Sequence, residues 1–264
     1  MFASSRNTRP AAAELRGVVE RITARYFREY PLSVGDNGAV TARYFRSRLA
    51  SAFQPMVDAA SGEVAGHQAV LRVESPSGES VAPWSLYAHA LEDEALVRLD
   101  RLCRTVHALN YFSSADPEKS LFLNVEARLL TGVSADHGAY FEAILALLGE
   151  PASRVVIVMP PGAIEAPVSF VRAAIGYRAR GYRVLVPVAS VADTELSHVF
   201  LAAPHYVSIE SPAAFSDEKW QPFLQALGRH GIEAVARRIE TEPQAEAARR
   251  AGARLLQGFH VGRP

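Results

Sequence analysis

The sequence predicts an α/β chain that closes a barrel of strands inside a layer of helices, and three observations predict it. From Ser51 onward, short β-rich runs alternate with longer helical patterns. The runs 154–159 and 183–188 are apolar almost without alternation, which suits a parallel sheet covered on both faces better than a half-exposed hairpin. Gly181 and Gly231 follow helical patterns at 163–180 and 216–230, where helices commonly stop.

Taken in order, the first ten residues, with Ser4, Ser5, Arg6, Asn7, Thr8 and Arg9, are polar and are expected to be disordered. Beyond Pro10, the residues Leu15, Val18, Val19, Ile22 and Tyr26 recur at helical spacing and predict one amphipathic helix ending before Pro31. The hexapeptide Thr-Ala-Arg-Tyr-Phe-Arg occurs at 23–28 and again at 41–46, with Gly35, Asp36, Asn37 and Gly38 marking a turn between the copies. Two readings stay open: a hairpin of two similar helices, or two unrelated helix ends that match by chance, since two copies are too few for a repeat architecture. Strands are then expected near 52–58, 65–73, 120–125, 154–159, 182–188, 205–210, 232–236 and 254–257. Eight runs separated by helices close a barrel, whose C-terminal strand ends and following loops form the active face. The chain therefore divides into an N-terminal tail and helical extension, 1–48, and a barrel domain, 49–264.

Composition excludes several classes. The 264 residues are enough for one sizeable core. With 28 basic against 28 acidic side chains, the molecule has no overall bias toward nucleic acid or an anionic membrane, so any anion binding must be local. No apolar run reaches the roughly 20 residues needed to cross a bilayer, and residues 1–13 lack the apolar core of a signal peptide. The lone Cys103 lies in an apolar helical pattern, which excludes an internal disulfide and suits a reducing compartment. A soluble, cytoplasmic protein is expected. The eight histidines show no metal-ligand spacing, and neither Ser190 nor Ser208 has a histidine in its sequence context that would activate it. His205 and His260 read as ordinary surface or capping residues.

Four segments carry a further signal: Phe53-Gln54-Pro55-Met56-Val57-Asp58, Gly66-His67-Gln68-Ala69-Val70-Leu71-Arg72, Leu121-Phe122-Leu123-Asn124-Val125, and Ala236-Arg237-Arg238-Ile239-Glu240-Thr241 followed by Leu256-Gln257-Gly258-Phe259. In order and spacing they resemble the EAL family, bacterial domains that hydrolyse cyclic di-GMP. The resemblance runs from about Ser51 to Pro264. It implies a modified (β/α)8 barrel, of the TIM type, with one strand reversed.

The resemblance also shows what this chain lacks. Phosphodiester hydrolysis at neutral pH needs divalent ions, held by several carboxylate oxygens, that polarise the phosphoryl group and activate water. The family's carboxylates align here with Gln68, Val158, Pro187, Val188 and Arg237, and the lysine proposed to position the water aligns with Ser208. The glycine-rich loop after the paired aspartates is replaced by Ala189, Ser190, Val191 and Ala192. Asn124, Glu240 and Gln257 remain. The expectation is a degenerate EAL-like domain with no catalytic residue, no metal site and no cofactor.

Binding needs fewer groups than hydrolysis. The resemblance implies Gln54, Gln68, Arg72, Asn124, Arg237, Glu240, Gln257, Gly258 and Phe259 as candidate nucleotide-binding positions. Arg237 and Arg238 could neutralise a phosphate where active relatives use metal ions, or could merely pair with Glu240 or Glu242. Arg25, Tyr26, Phe27, Tyr44 and Phe45 belong to residue types enriched at interfaces and are candidates for contact with a regulatory protein, or could instead cap the barrel. The family commonly pairs through helices near the fifth and sixth strands, where this chain has Leu196, Val199, Phe200 and Leu201, so a homodimer is a further expectation. Three functions are weighed: a regulatory protein acting through a partner, a metal-independent cyclic di-GMP receptor, and a residual phosphodiesterase.

Overall fold

The chain enters through α1 (Ala12–Tyr26) and passes along β1 (Leu32–Val34) and β2 (Val40–Tyr44) into the long hairpin of β3 (Ser47–Asp58) and β4 (Val64–Glu74). A short β5 (Ser80–Val81) leads to α2 (Pro83–His89) and the long α3 (Asp93–Phe112). Strand–helix units follow: β6 (Ser120–Asn124) with α4 (Ala127–Gly132) and α5 (Ala139–Leu148), β7 (Val155–Val158) with α6 (Pro167–Ala179), and β8 (Arg183–Val188) with α7 (Leu196–Ala202). The chain closes with β9 (Tyr206–Ile209), α8 (Gln221–Arg229), β10 (Glu233–Ala236), α9 (Glu242–Arg250) and β11 (Leu255–Leu256). This computed structural model describes residues 12–90, 92–114, 116, 118–132, 138–191 and 196–264. The polar first ten residues, expected to be disordered, lie outside that set.

Eight strands form a ring in the order β3, β11, β10, β9, β8, β7, β6, β4, closed by the β3–β4 pairing. Seven of them run parallel; β3 runs antiparallel to both of its ring neighbours, β4 and β11. Every residue of β7 is buried, because its two faces meet different cores. Val156 and Val158 point inward to a cluster with Met56, Phe122, Leu185, Tyr206, Val235 and Leu255 that fills the barrel. Val155 and Ile157 point outward into the larger layer between barrel and helices. Pro187 is tolerated in β8 because it lies beyond Leu185, the last residue of that strand paired with β7, where a missing N–H removes no ladder bond on that side. Gly181 and Gly231 adopt φ of 83° and 67° just after α6 and α8, a conformation that carries a steric penalty for any residue with a Cβ.

Two expectations are corrected. The first pair of barrel strands is not separated by a helix: Asp58 Oδ1 accepts from the N–H groups of Ala60 and Ser61, and this tight turn returns β3 directly into β4. The second copy of the hexapeptide is not helical. Residues 23–26 end α1, whereas 41–44 lie in β2, paired with β1 on one side and β3 on the other. Val40 and Thr41 are β-branched, and Asn110 of α3 accepts from the Val40 N–H at 2.8 Å and donates to the Val40 carbonyl at 2.7 Å. Tertiary pairing thus overrides identical local sequence. β1 and β2 extend the same sheet that forms the ring.

His107, one turn before Asn110 on α3, meets Ser51 Oγ of β3 at 2.7 Å through Nδ1. Burial pushes its imidazole down to about 4. The unfolded chain therefore takes up a proton near pH 6.5 that the folded chain refuses, so this group favours folding above pH 6.5 and the benefit disappears as pH falls toward 4. Urea unfolding should report stability about 2 kcal/mol lower at pH 5 than at pH 7.5 from this residue, and His107→Asn should flatten the profile by that amount. An unchanged profile in the variant would show that His107 titrates freely.

Candidate functional site

At the C-terminal ends of β6 and β10, and midway along β4 where its pairing with β6 stops, three predicted residues converge, and a fourth joins them from the segment after β11. Gln68 is the hub. Its Nε2 donates to Asn124 Oδ1 at 2.8 Å, and its Oε1 accepts from Arg237 Nη2 at 2.6 Å and from Gln257 Nε2 at 2.8 Å. Every polar atom of the buried Gln68 amide is therefore engaged, which fixes its orientation. Gln257 is held by the backbone around it: a Cβ on Gly258 would lie 2.1 Å from the Ile239 carbonyl oxygen, so only glycine lets the two segments approach this closely.

Beyond Gln68, Arg237 Nε lies 3.5 Å from Glu210 Oε1, and Arg238 Nε lies 3.8 Å from the other oxygen of the same carboxylate. Burial pushes the Arg237 guanidinium below its ordinary value, against the pull of Glu210. Ser208 Oγ, fully buried, is 3.4 Å from Glu210. The two arginines thus share Glu210 rather than pairing with Glu240 or Glu242, which corrects that alternative. Glu242 instead holds Arg249 and His260.

These groups border a cavity of about 380 Å³ whose walls include Asn124, Glu126, Val158, Pro160, Pro187 and Arg237. Its floor is apolar where Val158 and Pro187 stand, and its one guanidinium is that of Arg237. A second cavity of about 280 Å³ adjoins it behind Asn124, Val125 and Glu126, between the sheet and α3. Asp100, Cys103, Arg104 and His107 line it, a spacing that places all four on one face of α3. Asp100 and Arg104 form a buried ion pair. Arg104 lies against the Phe141 ring, 5.8 Å from its centroid. The Glu126 N–H donates to Asp100, tying α3 to the loop that follows Asn124. Burial pushes the Cys103 thiol up to about 12, so it is no nucleophile at neutral pH.

The other predicted positions stand apart from the hub. Gln54 Nε2 donates to the Gly262 carbonyl at 3.3 Å. Arg72 is exposed two strand pairs along the same face of β4 and makes no hydrogen bond or ion pair among the described residues. Glu240 contributes its backbone N–H to Gln244 at 2.8 Å, within the capping box of α9, while its side chain faces solvent. Phe259 is exposed beneath the Arg263 guanidinium, 5.0 Å from the ring centroid. Sequence reasoning did not single out Glu210, Asp100 or Arg104.

The candidate partner residues divide. Phe27 and Tyr44 are core, not surface, because α1 and β2 pack them against the sheet. Tyr26 packs edge-on against Tyr140, and the Arg25 guanidinium lies 5.1 Å from the centroid of the Tyr26 ring. Phe45 stands 71% exposed. On α7, Val199 is buried, Leu196 and Phe200 are partly buried, and Leu201 is exposed.

No curated protein matches the chain. Among solved structures it is similar to the YkuI protein of Bacillus subtilis, with an EAL domain, in complex with substrate c-di-GMP and calcium: 24% identity, TM-score 0.63, over 82% of this chain and 55% of that one. It is similar to Klebsiella pneumoniae BlrP1 in a manganese and cyclic di-GMP complex, at 18% identity and TM-score 0.65, over 87% of this chain and 57% of that one. It is also similar to the Xanthomonas citri FimX EAL domain in complex with c-diGMP, at 17% identity and TM-score 0.66, over 81% of this chain and 87% of that one. The chain spans just over half the length of YkuI and of BlrP1. These likenesses carry the fold. The EAL domain profile matches residues 41–264, most of the sequence, and with the eight-stranded ring and its single reversed strand this establishes that the chain belongs to the EAL domain family.

Proposed function

We propose that this EAL domain is a non-hydrolysing regulatory module of bacterial signalling that works by binding, with cyclic di-GMP as the ligand of its mouth. One observation carries the reading: the guanidinium of Arg237, bonded to Gln68 and facing Glu210, stands among the strand ends where the family's resemblance would place metal-binding carboxylates. A fixed cation on the protein supplies positive charge for a phosphate without any ion. The donor set does not fit a pair of divalent cations. Its oxygens are the amides of Asn124, Gln68 and Gln257, the single carboxylate of Glu126 in the cavity wall, and a glutamate already shared by two arginines, too few anionic groups for two ions. Among the described residues, no group of three or more His, Cys, Asp or Glu side chains lies close enough to share an ion.

Calorimetric titration with cyclic di-GMP tests this directly. Saturable binding with the same affinity in magnesium and in EDTA is expected, and Arg237→Ala should weaken it by about 10- to 100-fold, the worth of a charge-assisted hydrogen bond. Binding that vanishes in EDTA would overturn the reading.

A second surface favours action through a protein as well. Phe45, at the tip of the β2–β3 hairpin, is exposed and belongs to no core cluster.

A further inference from the structure

The β2–β3 hairpin carries two features that work against its own stability. Its ladder pairs Tyr44 with Ser47, which leaves Phe45 and Arg46 as a two-residue loop. Phe45 has φ of 50° at the first loop position, where glycine is the favoured choice because a Cβ crowds the backbone there. One pair further down, Arg43 stands directly opposite Arg48, and like charges so placed repel. Arg48 is neutralised by Glu74 at 2.7 Å; Arg43 and Arg46 form no ion pair among the described residues.

The surroundings amplify this. Phe45 rests edge-on against Tyr44 and Tyr30, at 4.8 and 5.7 Å between ring centroids, so the exposed ring stands on a rigid aromatic base. The two segments that build the patch, 25–31 and 40–48, contain five arginines, Arg25, Arg28, Arg43, Arg46 and Arg48, against one glutamate, Glu29, and all six are exposed. A pre-ordered aromatic ring flanked by unpaired guanidinium groups is the composition of an interface hot spot. The charge selects the occupant. Residues 1–11 of the chain carry Arg6 and Arg9 and no acid, so the chain's own N-terminal segment is electrostatically repelled.

We propose that the Phe45 hairpin is an anchor for an acidic, partly apolar segment of a second protein, Phe45 filling an apolar hollow while Arg43 and Arg46 pair with carboxylates. This rests on the reading that the domain acts by contact, and it gives that contact a place and a chemistry. A backbone strain retained beneath an exposed ring is accounted for by the ring's use elsewhere.

The test uses the full chain, a fluorescein-labelled random copolymer of glutamate and tyrosine as probe, and a lysine–tyrosine copolymer as control. Wild type should bind the acidic copolymer and not the basic one, more weakly as salt rises. Phe45→Gly and Arg43→Glu should each weaken binding at least about tenfold. Phe45→Gly should also raise Tm by about 2–4 °C, since glycine relieves the positive φ. A lower Tm would mean that the ring is kept for packing on Tyr30 and Tyr44, and undiminished binding by Phe45→Gly would mean that it is no anchor; either overturns the proposal. Sedimentation that finds wild-type dimers and a Phe45→Gly monomer would make a second copy the occupant and overturn it too. Calorimetry of Phe45→Gly with cyclic di-GMP should match wild type, so the two readings can fail separately.

Discussion

Incubated with cyclic di-GMP and either magnesium or manganese, the purified chain is expected to yield no linear dinucleotide, at least about 10⁴-fold below a metal-loaded relative. Two-metal hydrolysis asks the protein for a dense set of anionic oxygens, because each ion must be stripped of water and still see enough negative charge. Around this mouth the positions implied by family resemblance are an amide at Gln68, hydrocarbon at Val158 and Pro187, and a cation at Arg237, while Val188 is buried in the layer between barrel and helices. Arg237 does more than leave a ligand out, since at a few ångströms its charge repels the ion itself. The sharper form of the experiment reverses the two polar changes together. Gln68→Glu with Arg237→Glu should restore weak manganese binding at most, because three apolar replacements remain and no lysine stands at Ser208. Turnover by the wild-type chain, abolished by EDTA, would end the non-hydrolysing reading.

The barrel was legible because several of its parallel strands, β7 to β9 above all, are buried on both faces. In 155–158 and 183–188 hydrophobicity needs no partner to be read; six of the eight expected runs contain a ring strand, and the other two, 52–58 and 65–73, fall inside the longer β3 and β4. The N-terminal hairpin was not legible: Thr-Ala-Arg-Tyr-Phe-Arg ends a helix in one place and forms a strand and turn in another, and what decides is tertiary, the pairing of β2 with β1 and β3 and the grip of Asn110, some 70 residues away, on Val40. Interface-type residues misled for a related reason. Composition cannot tell that β2 ends at Tyr44 and turns at Phe45, so the buried strand residue and the exposed loop residue look alike in sequence. At the mouth, resemblance found Gln68, Asn124, Arg237 and Gln257, which the structure joins in one network, but also Arg72 and Glu240, which it leaves outside. Glu210 escaped notice because it is only two residues past Ser208, and what draws it into the site is the approach of Arg237 from the next strand end. Asp100 and Arg104 escaped because an i, i+4 acid–base pair on a helix usually reads as a solvated face; that it faces inward shows only when α3 is laid on the sheet.

That inward pair makes the second large prediction. Asp100 and Arg104 are 2% and 8% exposed; Asp100 Oδ2 meets Arg104 Nη2 in the ion pair, while Arg104 Nε and Nη1 lack a hydrogen-bond partner among the described residues. Two charges removed from water offset each other only while both are present. Arg104→Met should therefore lower stability by about 3–5 kcal/mol in urea at pH 7, because it strands a carboxylate in the apolar layer. Asp100→Leu with Arg104→Met should recover most of that loss, since apolar groups of similar volume replace a buried pair at little net change. The pH dependence supplies an independent check. Burial pushes the Asp100 carboxyl above its usual range even with Arg104 beside it, and without Arg104 the rise is steeper. A carboxyl whose folded value is raised favours folding at low pH and opposes it as pH climbs through that value. Arg104→Met should therefore lose less stability than wild type on acidification toward pH 5, where the wild-type chain is weakened through His107. A loss below about 1 kcal/mol at pH 7 would show instead that water in the adjoining cavity already solvates Asp100, and that the cavity behind Asn124 is wet and open to the mouth.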